Sequence, residues 1–192
     1  MEVVIATWNK SKLEWMARGL QQTGLLIKVL SNHIEDVEET EATFSGNAHL
    51  KVEAVRQVDS VSIIVGEDSG LSVEALGGFP GVKTARFMEG TDDDRARKVM
   101  ELLQGVPLSQ RKAVFHSAIV VSFPDGEQVV CEGCMNGWIS TEVVEGKGYG
   151  GIFLLSNNLV LAEQPSNDMM FDHHRQALFQ AIVAIRDWLN FR

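Results

Sequence analysis

Val3-Val4-Ile5-Ala6-Thr7-Trp8-Asn9-Lys10-Ser11-Lys12 is the stretch whose reading decides the fold. Its first four residues are an unbroken apolar run, the pattern of a buried strand. The chain then turns polar, and Leu13, Met16, Ala17 and Leu20 recur on one helical face before Gly24, a stop signal. A strand feeding a helix through a polar loop is the opening of an α/β chain. The same alternation continues outward. A second strand is expected near 25–30, a helix from Phe44, Ala48, Val52 and Val55, and another buried strand over 63–66. Thr91 before Asp92, Asp93 and Asp94 reads as a helix N-cap with an acidic first turn, with Ala96, Val99, Met100 and Leu103 as the apolar face. Segments 113–123 and 128–131 flank Pro124-Asp125-Gly126, a hairpin signal. Gly77-Gly78-Phe79-Pro80-Gly81 must be a loop, and a second glycine-rich loop, 146–151, enters a strand over 152–155. Leu178, Ile182, Ile185 and Leu189 share one face of a final helix. A mixed α/β sheet flanked by helices is the expected architecture.

Composition bounds the function. The 192 residues carry 17 Lys+Arg against 26 Asp+Glu, a formal charge of −9, with 45% hydrophobic residues. That length suits one domain, 1–192, without repeats, low-complexity segments or a separable linker. The acidity argues against a protein that coats a nucleic-acid polymer or an anionic membrane, since such partners need a basic face. It does not exclude a local basic pocket. No apolar run approaches the ~18 residues of a membrane span, and no signal peptide is read at the N-terminus. Two cysteines, Cys131 and Cys134, are too few for a disulfide framework, so a reduced cytoplasmic setting is expected.

Three segments could carry chemistry. The loop Thr7 to Lys12, at a strand-to-helix junction, can aim backbone N–H groups and a positive dipole end at a phosphate. Lys10 and Lys12 add cationic donors, and Asn9 and Ser11 can bond the same anion. The Walker spacing is absent, and a plain polar helix start is the alternative. Gly66-Glu67-Asp68-Ser69-Gly70, expected at a strand's C-terminal end, places two carboxylates where an α/β crevice opens. They suit a hard divalent cation, with one carboxylate orienting or deprotonating a water. The alternative is a strand-end turn in which Asp68 and Ser69 cap backbone groups. Finally, Glu35, Asp36, Glu38, Glu39 and Glu41 read as a solvated loop that could lend one ligand to such a metal. Cys131 and Cys134 lack a second ligand pair for zinc, and adjacent His173 and His174 diverge on a helix, which disfavours a metal pair; His174 or Arg175 could instead meet an anion.

Taken together, Ala6-Thr7-x-Asn9-x-x-Lys12, Glu38-Glu39-Thr40, Thr43-Phe44, Asn47-Ala48-x-x-Lys51, Glu67-Asp68-Ser69-Gly70-Leu71, Ala75-Leu76-Gly77-Gly78-x-Pro80-Gly81 and Ala85-Arg86-Phe87 resemble the inosine triphosphate pyrophosphatase family, the Ham1-like enzymes that remove non-canonical purine nucleotides. Phe115-His116, Gly148-Tyr149, Ile152-Phe153 and His174-Arg175 extend the resemblance over nearly the whole chain, more loosely in its last third. It implies an elongated two-lobed α/β fold around a long mixed sheet, with a cleft between the lobes, and a homodimer. It also implies Mg²⁺-dependent cleavage of a nucleoside triphosphate into the monophosphate and pyrophosphate. By position, Asp68 would be the general base and a metal ligand, Glu39 the other metal carboxylate and Glu67 a helper. Thr7, Asn9, Lys10, Lys12, Lys51 and Ser69 would hold the triphosphate. Arg86, Tyr149, His174 and Arg175 would complete the substrate site.

The chain also departs from that family's pattern. Where the family usually reads Phe-Gly-Tyr-Asp-Pro in its base-binding loop, this sequence has Lys147-Gly148-Tyr149-Gly150-Gly151. The stacking aromatic, the acid that reads the base edge and the stiffening proline are all replaced. No basic residue occurs in 166–172, where the family carries a lysine, and His174-Arg175 aligns with the family's pair only through one gap; otherwise the pair falls on His173-His174. A loop without base-reading groups should discriminate poorly among bases. The expectation is a pyrophosphatase of altered or relaxed base preference. The competing expectations are the same chemistry on another modified nucleotide, with Lys147 meeting the base or a further phosphate, a nucleotide-binding protein that has lost catalysis, and a plain structural domain.

Overall fold

A computed structural model describes residues 1–30, 34–164 and 172–191. In chain order the elements are β1 (Glu2–Ala6), α1 (Lys10–Leu20), β2 (Leu26–Lys28), α2 (Phe44–Arg56), β3 (Ile63–Val73), α3 (Asp92–Leu102), β4 (Lys112–Ser122), β5 (Gln128–Ile139), β6 (Phe153–Leu154) and α4 (His173–Asn190). The strands form one mixed six-stranded sheet in the order β2-β1-β3-β4-β5-β6. β1 runs parallel to both neighbours, pairing Val3 with Ile27 and Ala6 with Gly66. β6 is antiparallel to β5. This is the α/β architecture that the opening strand and helix predict.

The described residues fall into two compact units. The first comprises Met1–Asp68, Ser117–Gly133 and His174–Arg192. Its core explains the unbroken apolar run of β1. Val3 and Ile5 pack with Met16 and Leu20 of α1 and with Ala177, Ala181 and Ile185 of α4. Val4 and Ala6 join Ala48, Val52 and Val55 of α2 in a separate cluster. Successive side chains of a strand point to opposite faces, and a strand covered on both must be apolar at every position. Truncating Ile5, fully buried, should cost about 2–5 kcal/mol. The second unit comprises Ser69–His116 and Cys134–His173. Leu71, Val73, Val99, Leu103, Phe115, Ile139, Ile152 and Phe153 form its core.

Local signals hold at most element boundaries. Thr91 caps α3 in a capping box with Asp94, and Asn9 caps α1. The hairpin forms, with Phe123 N–H donating to Glu127 O at 2.8 Å. β5 continues to Ile139, well past the expected 128–131, because Glu132, Cys134 and Asn136 alternate outward while the strand stays paired. The larger correction concerns 63–66. The strand does not stop at Gly66, and Glu67-Asp68 is neither a strand end nor a turn: β3 runs unbroken to Val73. Polar residues do not break a strand when their side chains find partners inside the protein. No described helix is long and apolar enough to cross a membrane. Segment 166–171, where the missing lysine would fall, lies outside the described residues.

Candidate active site

The carboxylates of β3 meet cationic side chains from two helices, all within the first unit. α1 begins at the loop that follows β1. Its N-cap Asn9 uses Oδ1 to accept the N–H groups of Ser11 at 2.9 Å and Lys12 at 3.2 Å. Asn9 thus has a helix-capping task, and two of the amides expected to face an anion are satisfied by its side chain. Thr7 is buried and its Oγ1 accepts the Asn9 N–H at 3.3 Å. From the first turn of α1, Lys12 sends its ammonium to Glu67 Oε2 at 2.7 Å and lies 3.9 Å from Asp68 Oδ1.

Asn47 and Lys51, four residues apart on α2, share one face. Lys51 Nζ donates to Glu67 O at 2.9 Å and lies 3.4 Å from Asp68 Oδ1 and 2.5 Å from Glu39 Oε1. Asn47 Nδ2 donates to Asp68 Oδ2 at 3.2 Å, and its Oδ1 accepts the Glu41 N–H at 3.0 Å. The acidic loop is thereby tied to α2 beside Glu39, so it is not wholly a solvated run. α2 comes this close because position 66 is glycine: a Cβ there would lie 2.7 Å from Ala48 O and 2.8 Å from Val52 Cγ2. From β4, Ser117 Oγ donates to Glu67 Oε1 at 3.0 Å, and His174 Nδ1 of α4 stands 3.4 Å from the same oxygen. The His174 ring also packs on Trp15, with centroids 4.8 Å apart.

Burial and charge divide these groups. Glu67 has no exposed side-chain surface, whereas Lys12 and Glu39 are 21% and 20% exposed. Burial alone would push the Glu67 carboxyl up, but the Lys12 ammonium and the contact with His174 hold it well below the usual carboxylate range. The Asp68 carboxyl is raised: burial dominates, Lys51 opposes it, and nearby Glu39 adds to it. Burial works against the Lys12 ammonium, yet Glu67 and Asp68 leave it raised. With all groups ionised, the three carboxylates outnumber the two ammoniums, leaving an excess negative charge in a largely desolvated place. Glu39 and Asp68 reach the same ammonium from different elements. A pair of oxygen donors with surplus negative charge is the donor set a hard divalent cation takes, so these residues fit Mg²⁺.

The expected residues therefore divide three ways. Lys12, Glu39, Lys51, Glu67, Asp68 and His174 come together, with Thr7 and Asn9 at the start of α1. Lys10 and Arg175 are solvent-exposed. Ser69, Arg86 and Tyr149 belong to the second unit. There Tyr149 is buried and its hydroxyl donates to Thr84 O at 2.7 Å, while Arg86 is exposed. His173 stacks on Phe115 in the second unit, so His174, not His173, is the histidine of the cluster. Sequence reasoning missed Ser117 and assigned no site role to Asn47. The available signal for Ser117 was a lone hydroxyl beside the apolar run 118–121. Cys131 is buried, and that burial pushes its thiol up to about 11.

Comparison with known proteins is consistent with this geometry. A protein of Halalkalibacterium halodurans named non-canonical purine NTP pyrophosphatase homolog is 51% identical over 189 residues, covering 98% of this chain and 97% of its own. The dITP/XTP pyrophosphatase of the same bacterium is 35% identical, covering 98% and 99%. The structure of the Staphylococcus aureus Ham1 protein superposes with a TM-score of 0.86 at 29% identity, over 98% of this chain and all of that one. The model of the Ham1 family matches residues 3–185, nearly the full length, and the chain belongs to that family.

Proposed function

We propose that the protein is a nucleoside triphosphate pyrophosphatase that splits its substrate between the α- and β-phosphates, giving the monophosphate and pyrophosphate. The observation that carries this reading is the convergence of Glu39 and Asp68 on Lys51, beside the Lys12 ammonium. Glu39 and Asp68 would hold Mg²⁺. Bound there, the ion would neutralise phosphate charge and polarise the phosphoryl group. Lys12, more exposed than Lys51, meets the phosphates. Asp68 takes the proton of the attacking water as the α–β bridging P–O bond breaks and pyrophosphate leaves. Relatives named for NTP and dITP/XTP pyrophosphatase activity support the substrate class. Release of pyrophosphate from a triphosphate panel, with Mg²⁺ and with chelator, tests the reading; no pyrophosphate from any member contradicts it. The family resemblance also carries a cytoplasmic homodimer, which light scattering would weigh as twice the 21.2 kDa chain.

A second reading, of altered base preference, is favoured by the segment Lys147 to Gly151. It folds as a tight turn: the Gly148 N–H donates to Asp93 Oδ1 at 2.7 Å, and a Cβ at Gly151 would lie 2.1 Å from Val144 O. Neither Gly150 nor Gly151 offers a side-chain acceptor to read a base edge, so discrimination among bases should be weak. Halalkalibacterium halodurans has both a dITP/XTP pyrophosphatase and the differently named homolog, and this chain shares more identity with the latter. Sharp preference for inosine and xanthosine triphosphates over the common nucleotides would contradict this reading.

A further inference from the structure

Glu67 differs from the other two carboxylates of the cluster. Asp68 and Glu39 lie about one shared ammonium, and Glu39 keeps some exposure. Glu67 is sealed, and its oxygens are already engaged from three elements. Lys12 of α1 takes Oε2 at 2.7 Å. Ser117 of β4 donates to Oε1 at 3.0 Å, and His174 of α4 stands 3.4 Å from it. A magnesium ion demands near-octahedral oxygen ligands at about 2.0–2.1 Å and would have to displace these partners. An incoming ion would also strip Lys12 of the carboxylate that compensates its charge.

We propose that Glu67 is a positioning residue and not a metal ligand: one oxygen fixes the Lys12 ammonium, and the other, steadied by Ser117, holds the His174 ring against Trp15. This inference rests on the pyrophosphatase reading for the meaning of Lys12 as a phosphate contact. In that role Glu67 acts only through the groups it holds. Without its charge, Lys12 is released to other rotamers, and the phosphates lose a pre-aimed partner.

The test is a double-substitution cycle read by calorimetric titration of inorganic tripolyphosphate in the presence of Mg²⁺, backed by pyrophosphate-release kinetics. Glu67→Gln should weaken tripolyphosphate binding by about ten-fold in the wild-type background, the loss expected for a charge-assisted contact. In a Lys12→Met background it should weaken binding by less than about two-fold, because the contact it serves is gone. In kinetics, Glu67→Gln should raise KM more than it lowers kcat. Binding of Mn²⁺ to the free protein, followed by electron paramagnetic resonance, should be unchanged in Glu67→Gln and weakened in Asp68→Asn. Losses that multiply in the double variant, or Mn²⁺ affinity falling as far in Glu67→Gln as in Asp68→Asn, would overturn the proposal. Should Glu67→Gln fail to fold, Ser117→Ala removes one donor and keeps the charge. It should weaken tripolyphosphate with Mn²⁺ affinity intact, and unaltered tripolyphosphate binding there also overturns the proposal. A wild type that neither binds tripolyphosphate nor releases pyrophosphate overturns the pyrophosphatase reading itself.

Discussion

Asp68 draws opposite demands from its surroundings, and both can be measured. Burial and the Glu39 charge raise its carboxyl, with Lys51 opposing. A raised carboxyl binds its proton more tightly folded than unfolded, so its contribution to stability falls as pH rises from the ordinary carboxylate range through its folded value. In chelator-containing buffer, Asp68→Asn should therefore be at least as heat-stable as the wild type at neutral pH. That advantage should vanish in acid; a lower Tm at neutral pH would refute the sign. The same substitution should cost turnover about 10²–10⁴-fold, as loss of a positioned base does, and unchanged pyrophosphate release would sink the assignment. At this scale much of the site was legible. Glu67-Asp68, Lys12 and Lys51 stand out as charges in or beside apolar segments. Ser117 and the task of Asn47 were not, because a small polar residue acquires meaning only from what the fold packs against it, here Glu67 and Asp68.

Among the elements, β3 carries the most. Its expected boundary fell at Gly66 because a glycine followed by two acids reads as a break, yet the strand runs seven residues further, to Val73. The glycine's task is contact with α2: Ala48 O and Val52 Cγ2 occupy the space a Cβ would need. Gly66→Ala should push α2 off the strand, lowering stability by about 1–3 kcal/mol and loosening Lys51 from Glu67 O. Thermal melting and tripolyphosphate affinity should fall together; a variant of wild-type Tm would show that the helix yields freely. Thr91→Ala, which removes the capping box of α3, should cost about 1 kcal/mol, a drop of about 2–4 °C in Tm for a chain of this size. Cap and hairpin signals are local, so they were readable; a helix-to-strand approach at one glycine is tertiary and was not.

For the molecule as a whole, the charge of −9 acquires an internal structure. In the first unit, Glu39, Glu67 and Asp68 face Lys12 and Lys51, an acidic excess that suits a cation and, with it, a small polyanion. The alternation of strand and helix made the α/β class legible from the first twenty residues, since each element buries a face of its own. The division into two units was less so, because β3, β4 and β5 each contribute residues to both without any break in composition. Lys12, Glu39, Lys51 and Asp68 lie in the first unit and the altered Lys147 to Gly151 turn in the second, so chemistry and base preference should separate in experiment. The most direct measurement is the stoichiometry of pyrophosphate and nucleoside monophosphate released from inosine, xanthosine, guanosine and adenosine triphosphates with Mg²⁺. The account predicts one pyrophosphate for each monophosphate, across several bases and abolished by chelator; release of orthophosphate instead, or of nothing, would contradict it.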